Sequence, residues 1–230
     1  EEFIKSLRDL KIIEISRGRC FLVRNDRHVT IPSSIQDVVM TRVDALPDGA
    51  KGVIQIGSVI EREFGHPLLQ RVADLPEKEL LTHLSVLKDS ELIYERGVYP
   101  QSTYIFKNAL IREVVYDSIL ISTKKKLHGR IATVLEDLFE NSLNEHLETL
   151  SHHYFESENY EKAAEFSRLV AKKAGKTGSL TEAIAYTNKA VSSLEKLPQS
   201  NDTQKAIIDA RSALGLYLIE MNYFHEAREA

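Results

Sequence analysis

The stretch YIFKNALIREVVYDSIL, residues 104–120, decides how the rest of the chain is read. It sets two Tyr, one Phe and seven Ile, Leu or Val residues beside Lys107, Arg112, Glu113 and Asp117. Its first residues continue an extended run, and the remainder has helical spacing. Ile105 and Phe106, then Ala109, Leu110, Val114 and Ile121, give one apolar stripe, which Ile111, Val115 and Ile119 widen. A stripe of that breadth belongs to a helix packed on more than one side. Burying six to eight such side chains contributes about 1.5–3 kcal/mol each before entropy costs. The stretch is expected to be a stiff, buried joint between two parts of the chain. Phe106, Ala109, Leu110, Val114 and Tyr116 stand at that junction.

Working outward toward the N-terminus, residues 103–106 follow a turn at 97–101, which follows Leu92, Ile93 and Tyr94. Before that ribbon come helical patterns at about 49–60, 67–73 and 77–89, the last with Leu80, Leu81, Leu84 and Leu87 on one face. Helices followed by a two-stranded ribbon is the order of a winged helix. Further upstream, Ser33 with Gln36 is a capping-box signal. Ile35, Val38, Val39, Arg42, Val43 and Leu46 continue the helix to Pro47. Residues 11–15 and 20–23, with Gly18 between them, read as a hairpin, and residues 1–10 as the end of a helix.

Toward the C-terminus every strong pattern is helical. Leu147, Leu150, Ser151 and Tyr154 fall at helical spacing, and further helices are expected at about 160–175, 180–197 and 204–221. NYEKAAEFSRLVAKKA, SLTEAIAYTNKAVSSL and NYFHEAREA share a turn, an aromatic or Leu, and then Ala163, Ala183 or Ala227. This is a degenerate tetratricopeptide-like array. The favoured pairing joins 160–175 with 180–197, and 204–221 with 223–230. The expected fold is mainly α: a lid remnant with a β-hairpin (1–46), a winged-helix-like domain (47–121), and tetratricopeptide-like helical repeats forming an α-solenoid (122–230).

Composition narrows the functional classes. The 230 residues are 43% hydrophobic and 28% charged, with a net charge of −4, as in an ordinary globular protein. Cys20 is the one cysteine, so no internal disulfide forms, and a reducing, cytoplasmic setting fits. No apolar run approaches the roughly 18–20 residues of a membrane span. The chain opens on Glu1 already in helical pattern and stops inside another, as a piece of a longer protein would.

The chemistry that the sequence offers is sparse. AGKTG at 174–178 imitates the tail of a phosphate loop, but Val170 stands where that motif needs Gly, and a helix precedes it where a strand is required. A glycine-terminated helix end is the expectation. His146, His152, His153 and Glu148 do not supply three converging ligands and read as a solvated helix face. No acid, base and nucleophile constellation is present, so no catalytic, cofactor-binding or metal-binding residue is assigned. The one basic cluster, Lys124, Lys125, Lys126, His128 and Arg130, is the candidate interaction surface. Residues 77–89, the candidate DNA-reading helix, carry Glu77, Glu79 and Asp89 against Lys78 and Lys88 and no Arg, so nucleic acid is not the expected partner.

Taken in order, IPSSIQDVVMTRVDALPDGAKGVIQIGSVIEREFGHPLL, HLSVLKDSELIY and YIFKNALIREVVYDSILISTKKKLHGRIATVLE resemble the region after the phosphate-loop core of bacterial STAND-type (AAA-related) signalling ATPases. Many of these are fused to class III adenylate or guanylate cyclase domains. The resemblance rests on Pro32, Arg42, Asp44, Leu46, Pro47, Ile60, Arg62, Phe64, Phe106, Ala109, Leu110, Tyr116, Leu127 and His128. Asn108 departs from it, where relatives carry His. The resemblance implies a non-catalytic regulatory arm that docks on its own upstream ATPase core. ATP and Mg would be bound by the parent protein and not by this segment, and a protein or peptide partner would bind through the helical repeats. A winged-helix DNA-binding regulator is the alternative.

Overall fold

The computed structural model describes residues 13–16, 19–22 and 35–229, with side-chain environments over 36–222. The helix expected at 1–10, the turn at Gly18 and the cap at Ser33 lie outside the described residues. Two compact units are present, Glu1–Leu120 and Ile121–Ala230. Among the described residues the chain is mainly helical with little sheet.

In the first unit, β1 (Ile13–Ser16) pairs antiparallel with β2 (Arg19–Leu22). Helix α1 (Ile35–Asp44) buries Val38, Val39 and Val43. Pro47 then separates it from α2 (Asp48–Ile60), while its carbonyl accepts from the Lys51 N–H in the first turn of α2. The second half of α2 is covered nearly all round, burying Val53, Ile54 and Gly57 through Ile60. It is the central helix, in contact with α3 (His66–Ala73), α4 (Glu77–Asp89) and α5 (Ala109–Asp117). Helix α1 also lies against α5, so residues 35–44 belong to the core of this unit.

The ribbon strands are β4 (Ile93–Arg96) and β5 (Thr103–Phe106). A further short strand, β3 (Glu63–Gly65), pairs with the free edge of β5, giving an antiparallel sheet in the order β3-β5-β4. Phe64 sits opposite Tyr104, and its ring lies 5.9 Å from that of Tyr104 and 5.8 Å from that of Phe106. Three aromatic rings thus fasten the sheet to the helices. Gly57 of α2 faces this cluster, and a Cβ there would stand 2.6 Å from the Phe64 ring.

The stretch 104–120 carries a strand and then a helix, but its buried face differs from the expected stripe. Phe106, Ile111, Val114, Val115 and Ile119 are buried, Leu110 and Tyr116 are half-buried, and Ala109 is exposed. Ile121 is 72% exposed, so the stripe ends at Ile119 and does not run on into the next helix. The reason is the turn at 118–120, which resets the helical phase. In α4, Leu80, Leu84 and Leu87 are buried while Leu81 lies outside the core.

The second unit comprises α6 (Ile121–Leu138), a 3-10 segment (Glu140–Glu145), α7 (Leu147–Glu156), α8 (Tyr160–Lys176), α9 (Leu180–Leu194) and α10 (Asn201–Glu229). From α7 onward, each helix packs on the one before it. Ala163, Ala183 and Ala190 are fully buried, letting the backbones of α8 and α9 approach closely. Helix α10 is continuous over 29 residues, so the break expected before 223 is absent and residues 223–229 continue the helix that holds 204–221. No Pro or Gly lies between 216 and 229 to interrupt it. Among the described residues, no helix is long and apolar enough to cross a membrane.

Candidate partner-binding groove

Helices α8, α9 and α10 enclose a groove of about 680 Å³ within the second unit. Its floor is built from small and apolar side chains: Ala164 and Ala171 of α8, Thr187 and Leu194 of α9, and Ala210 of α10, all buried. The Thr187 hydroxyl donates to the Ala183 carbonyl of its own helix at 2.6 Å, so the floor presents no unsatisfied polar group there. Ala164, Leu194 and Ala210 form one cluster, with Val191, Leu197, Ala206 and Ile207 against it. At the far end the Tyr217 hydroxyl donates to the Ala171 carbonyl at 3.3 Å. Its ring lies over Gly175, where a Cβ would stand 2.6 Å from the ring edge.

The walls are charged and exposed. Helix α8 contributes Glu161, Glu165, Arg168 and Lys172, and α10 contributes Asp202 and Asp209. Glu161 and Glu165 also raise the Lys162 ammonium above the ordinary lysine value, after the larger effect of its hydrogen bond to Glu136. Over the whole lining, four carboxylates stand against two cations.

The basic cluster is divided by the fold. Lys126 and Arg130 are exposed on α6, Lys124 is half-buried, and Lys125 is engaged with Glu158 at 2.7 Å. His128 is no part of a surface. It is 1% exposed, and its Nδ1 lies 2.8 Å from Nδ1 of His153, also 1% exposed. The reading of His146, His152 and His153 as a solvated face is corrected accordingly: His152 is exposed, His146 is half-buried, and His153 turns inward toward α6. The partner 25 residues away is invisible to a scan of one helix face. Among the described residues, no group of three His, Cys, Asp or Glu could hold a metal ion.

A second buried polar cluster lies under the sheet of the first unit. His66 is 1% exposed, its Nδ1 lies 3.2 Å from the Tyr104 hydroxyl, and its ring meets Tyr99 edge-on at 5.2 Å. Burial lowers the His66 pKa, with Glu77 and Glu95 opposing. Burial, and then Glu95, push the Tyr104 hydroxyl up to about 12. Hydrogen bonds from Lys88 and Ser102 hold Glu95 below the usual carboxylate range. His66 is too enclosed to meet a substrate, and this cluster is structural.

The remaining motifs resolve into helix ends. Residues 174–178 finish α8: the Ser179 N–H donates to the Ala174 carbonyl at 2.9 Å, and Gly178 takes φ +77°. Asn108 is the N-cap of α5, its Oδ1 accepting from the Ile111 N–H at 2.9 Å. The groove itself was not legible in the sequence. Its one trace is the alternation of Ala with Glu and Asp at helical spacing in 161–172 and 202–213.

No family model and no curated protein matches the chain.

Proposed function

We propose that the chain is a non-catalytic, protein-binding regulatory arm of a multi-domain cytoplasmic signalling ATPase of the STAND type. In this reading the first unit is a winged-helix-like module that docks on the parent's nucleotide-binding core, where ATP and Mg act. The second unit is a tetratricopeptide-like solenoid that captures a partner or inducer. Capture biases the open and closed states of the parent only through contacts that differ between them. The observation that carries this reading is the groove across α8, α9 and α10: about 680 Å³, apolar below and charged above. The order of elements, three helices and a ribbon followed by a helical stack, supports it.

The DNA-binding alternative is disfavoured by α4, whose exposed residues include Glu77, Glu79 and Asp89. Such a surface repels phosphate.

The decisive experiment expresses the full-length gene product with and without residues 121–230 and measures nucleotide turnover and output activity. Removing the second unit should change turnover or its response to partner. Identical behaviour of the two proteins would end the regulatory reading.

A further inference from the structure

We infer that the groove across α8, α9 and α10 receives a basic peptide segment of a partner protein, its Lys or Arg side chains over Glu161, Glu165, Asp202 and Asp209 and an aliphatic side chain on the alanine floor. This deepens the proposed function and rests on it for the partner's role, though not for the chemistry of the groove.

Charge is the first argument. The walls carry four carboxylates, Glu161, Glu165, Asp202 and Asp209, against two cations, Arg168 and Lys172. None of the four carboxylates is engaged by an ion pair with another described residue. An anionic occupant such as nucleic acid or a phospholipid surface meets net repulsion, and a basic one meets attraction.

Placement is the second. Ala164 and Leu194 meet Ala210, and Ala171 receives the Tyr217 hydroxyl. Helices α8 and α10 therefore run side by side in the same direction. Glu161 and Glu165 lie in the first half of α8, and Asp202 and Asp209 in the corresponding part of α10. Arg168 and Lys172 follow toward Tyr217, with Lys172 about 16 Å along the axis from Glu161. The basic part of the occupant thus belongs at the Glu161 and Asp202 end.

Size and floor are the third. A groove of about 680 Å³ exceeds one side chain and suits a short segment. Ala164, Ala171, Ala206, Ala210 and Ala213 keep the floor shallow and apolar, so an aliphatic anchor can approach the backbones of α8 and α10 together.

The test uses the 230-residue chain and fluorescence anisotropy with a fluorescein-labelled peptide of alternating Lys and Leu. Companion probes replace Leu with Ser or Lys with Glu, and a labelled DNA duplex is added. The Lys/Leu peptide should bind saturably with one-to-one stoichiometry and weaken as salt is raised. The combined Glu161→Gln, Glu165→Gln, Asp202→Asn, Asp209→Asn variant should weaken it about tenfold or more, as the loss of four ordinary exposed pairs together would. The matched control Glu140→Gln, Glu145→Gln, Glu182→Gln, Glu220→Gln should leave it unchanged. Ala213→Leu, which narrows the groove without altering charge, should abolish binding in a protein whose circular dichroism matches the parent. Equal loss in the two charge variants, equal binding of the Ser and Leu probes, tighter binding of DNA, or self-association through the groove that excludes the peptide would each overturn the inference. A groove that passes every arm in a protein whose ATP turnover ignores loss of residues 121–230 would sink the regulatory reading and leave this one standing.

Discussion

His128 of α6 and His153 of α7 face each other Nδ1 to Nδ1 at 2.8 Å in the interior of the second unit. A hydrogen bond between two ring nitrogens needs one protonated and one bare nitrogen, so the two rings hold complementary states at those atoms. The contact ties the first helix of the unit to the next.

Removing either ring leaves the other without that bond. His128→Leu and His153→Leu should each destabilise the protein by about 1–3 kcal/mol. The double replacement should cost clearly less than the sum, because the second change removes a group already deprived of its partner. A denaturant-based double-mutant cycle checks this. Strict additivity would show that the two rings are not coupled.

His66 makes stability depend on pH. Burial lowers its folded-state pKa below the ordinary 6.5, so the unfolded chain binds the proton more readily. The stabilising contribution is complete above that ordinary value and is lost as pH falls through it toward the folded-state value. Unfolding free energies measured from neutral to mildly acid pH should decline in the parent. His66→Gln should show a shallower decline than the parent over that window. Parallel curves would remove His66 from the account.

Gly57 is tolerated inside α2 because the Phe64 ring occupies the space above it. Gly57→Ala gains roughly 1 kcal/mol of helix propensity but forces the ring to move, an overpacking cost of about 1–3 kcal/mol. Net destabilisation is expected, and Phe64→Leu in the same protein should recover part of it. Thermal melts of the parent, the two single variants and the double variant decide the matter. A stabilised single Ala variant would mean that the ring yields freely.

Asn108 departs from the His that the resemblance to signalling ATPases implies, and the structure gives the residue a local task as the cap of α5. Asn108→Ala should cost about 0.5–2 kcal/mol, and Asn108→Asp should cost little. Asn108→His should fall between them, since imidazole is a poorer cap. Equal stability of Asp and Ala variants would refute the capping role.

The legible parts of the fold were those fixed by contacts close in sequence. The face Leu80, Leu84 and Leu87 and the face Leu147, Leu150 and Tyr154 are buried as their spacing implies, since a periodic helix displays its core side to anyone counting by 3.6. Strand β3 was not legible. It has three residues, too few for alternation to register, and it exists because β5, some forty positions later, offers it an edge. Helix α10 runs on through Asn222 because that residue, although it matches the turn of the repeat pattern in sequence, brings no Pro or Gly to stop a helix. The site was less legible still. Lys124 through Arg130 are neighbours in the chain but point to different sides of α6, and His128 points inward. The groove's walls come from helices whose contributing residues stand some forty positions apart. Charge runs are visible in a sequence, whereas which of them share a cavity is decided by helix packing.

The close seating of Tyr217 on Gly175 has an evolutionary corollary. Any lineage that adds bulk at 175 must accept a smaller residue at 217 or prise the two helices apart, so the two positions should drift as a pair among descendants of this sequence. Where an alanine or serine replaces the glycine, natural selection should already have trimmed the ring.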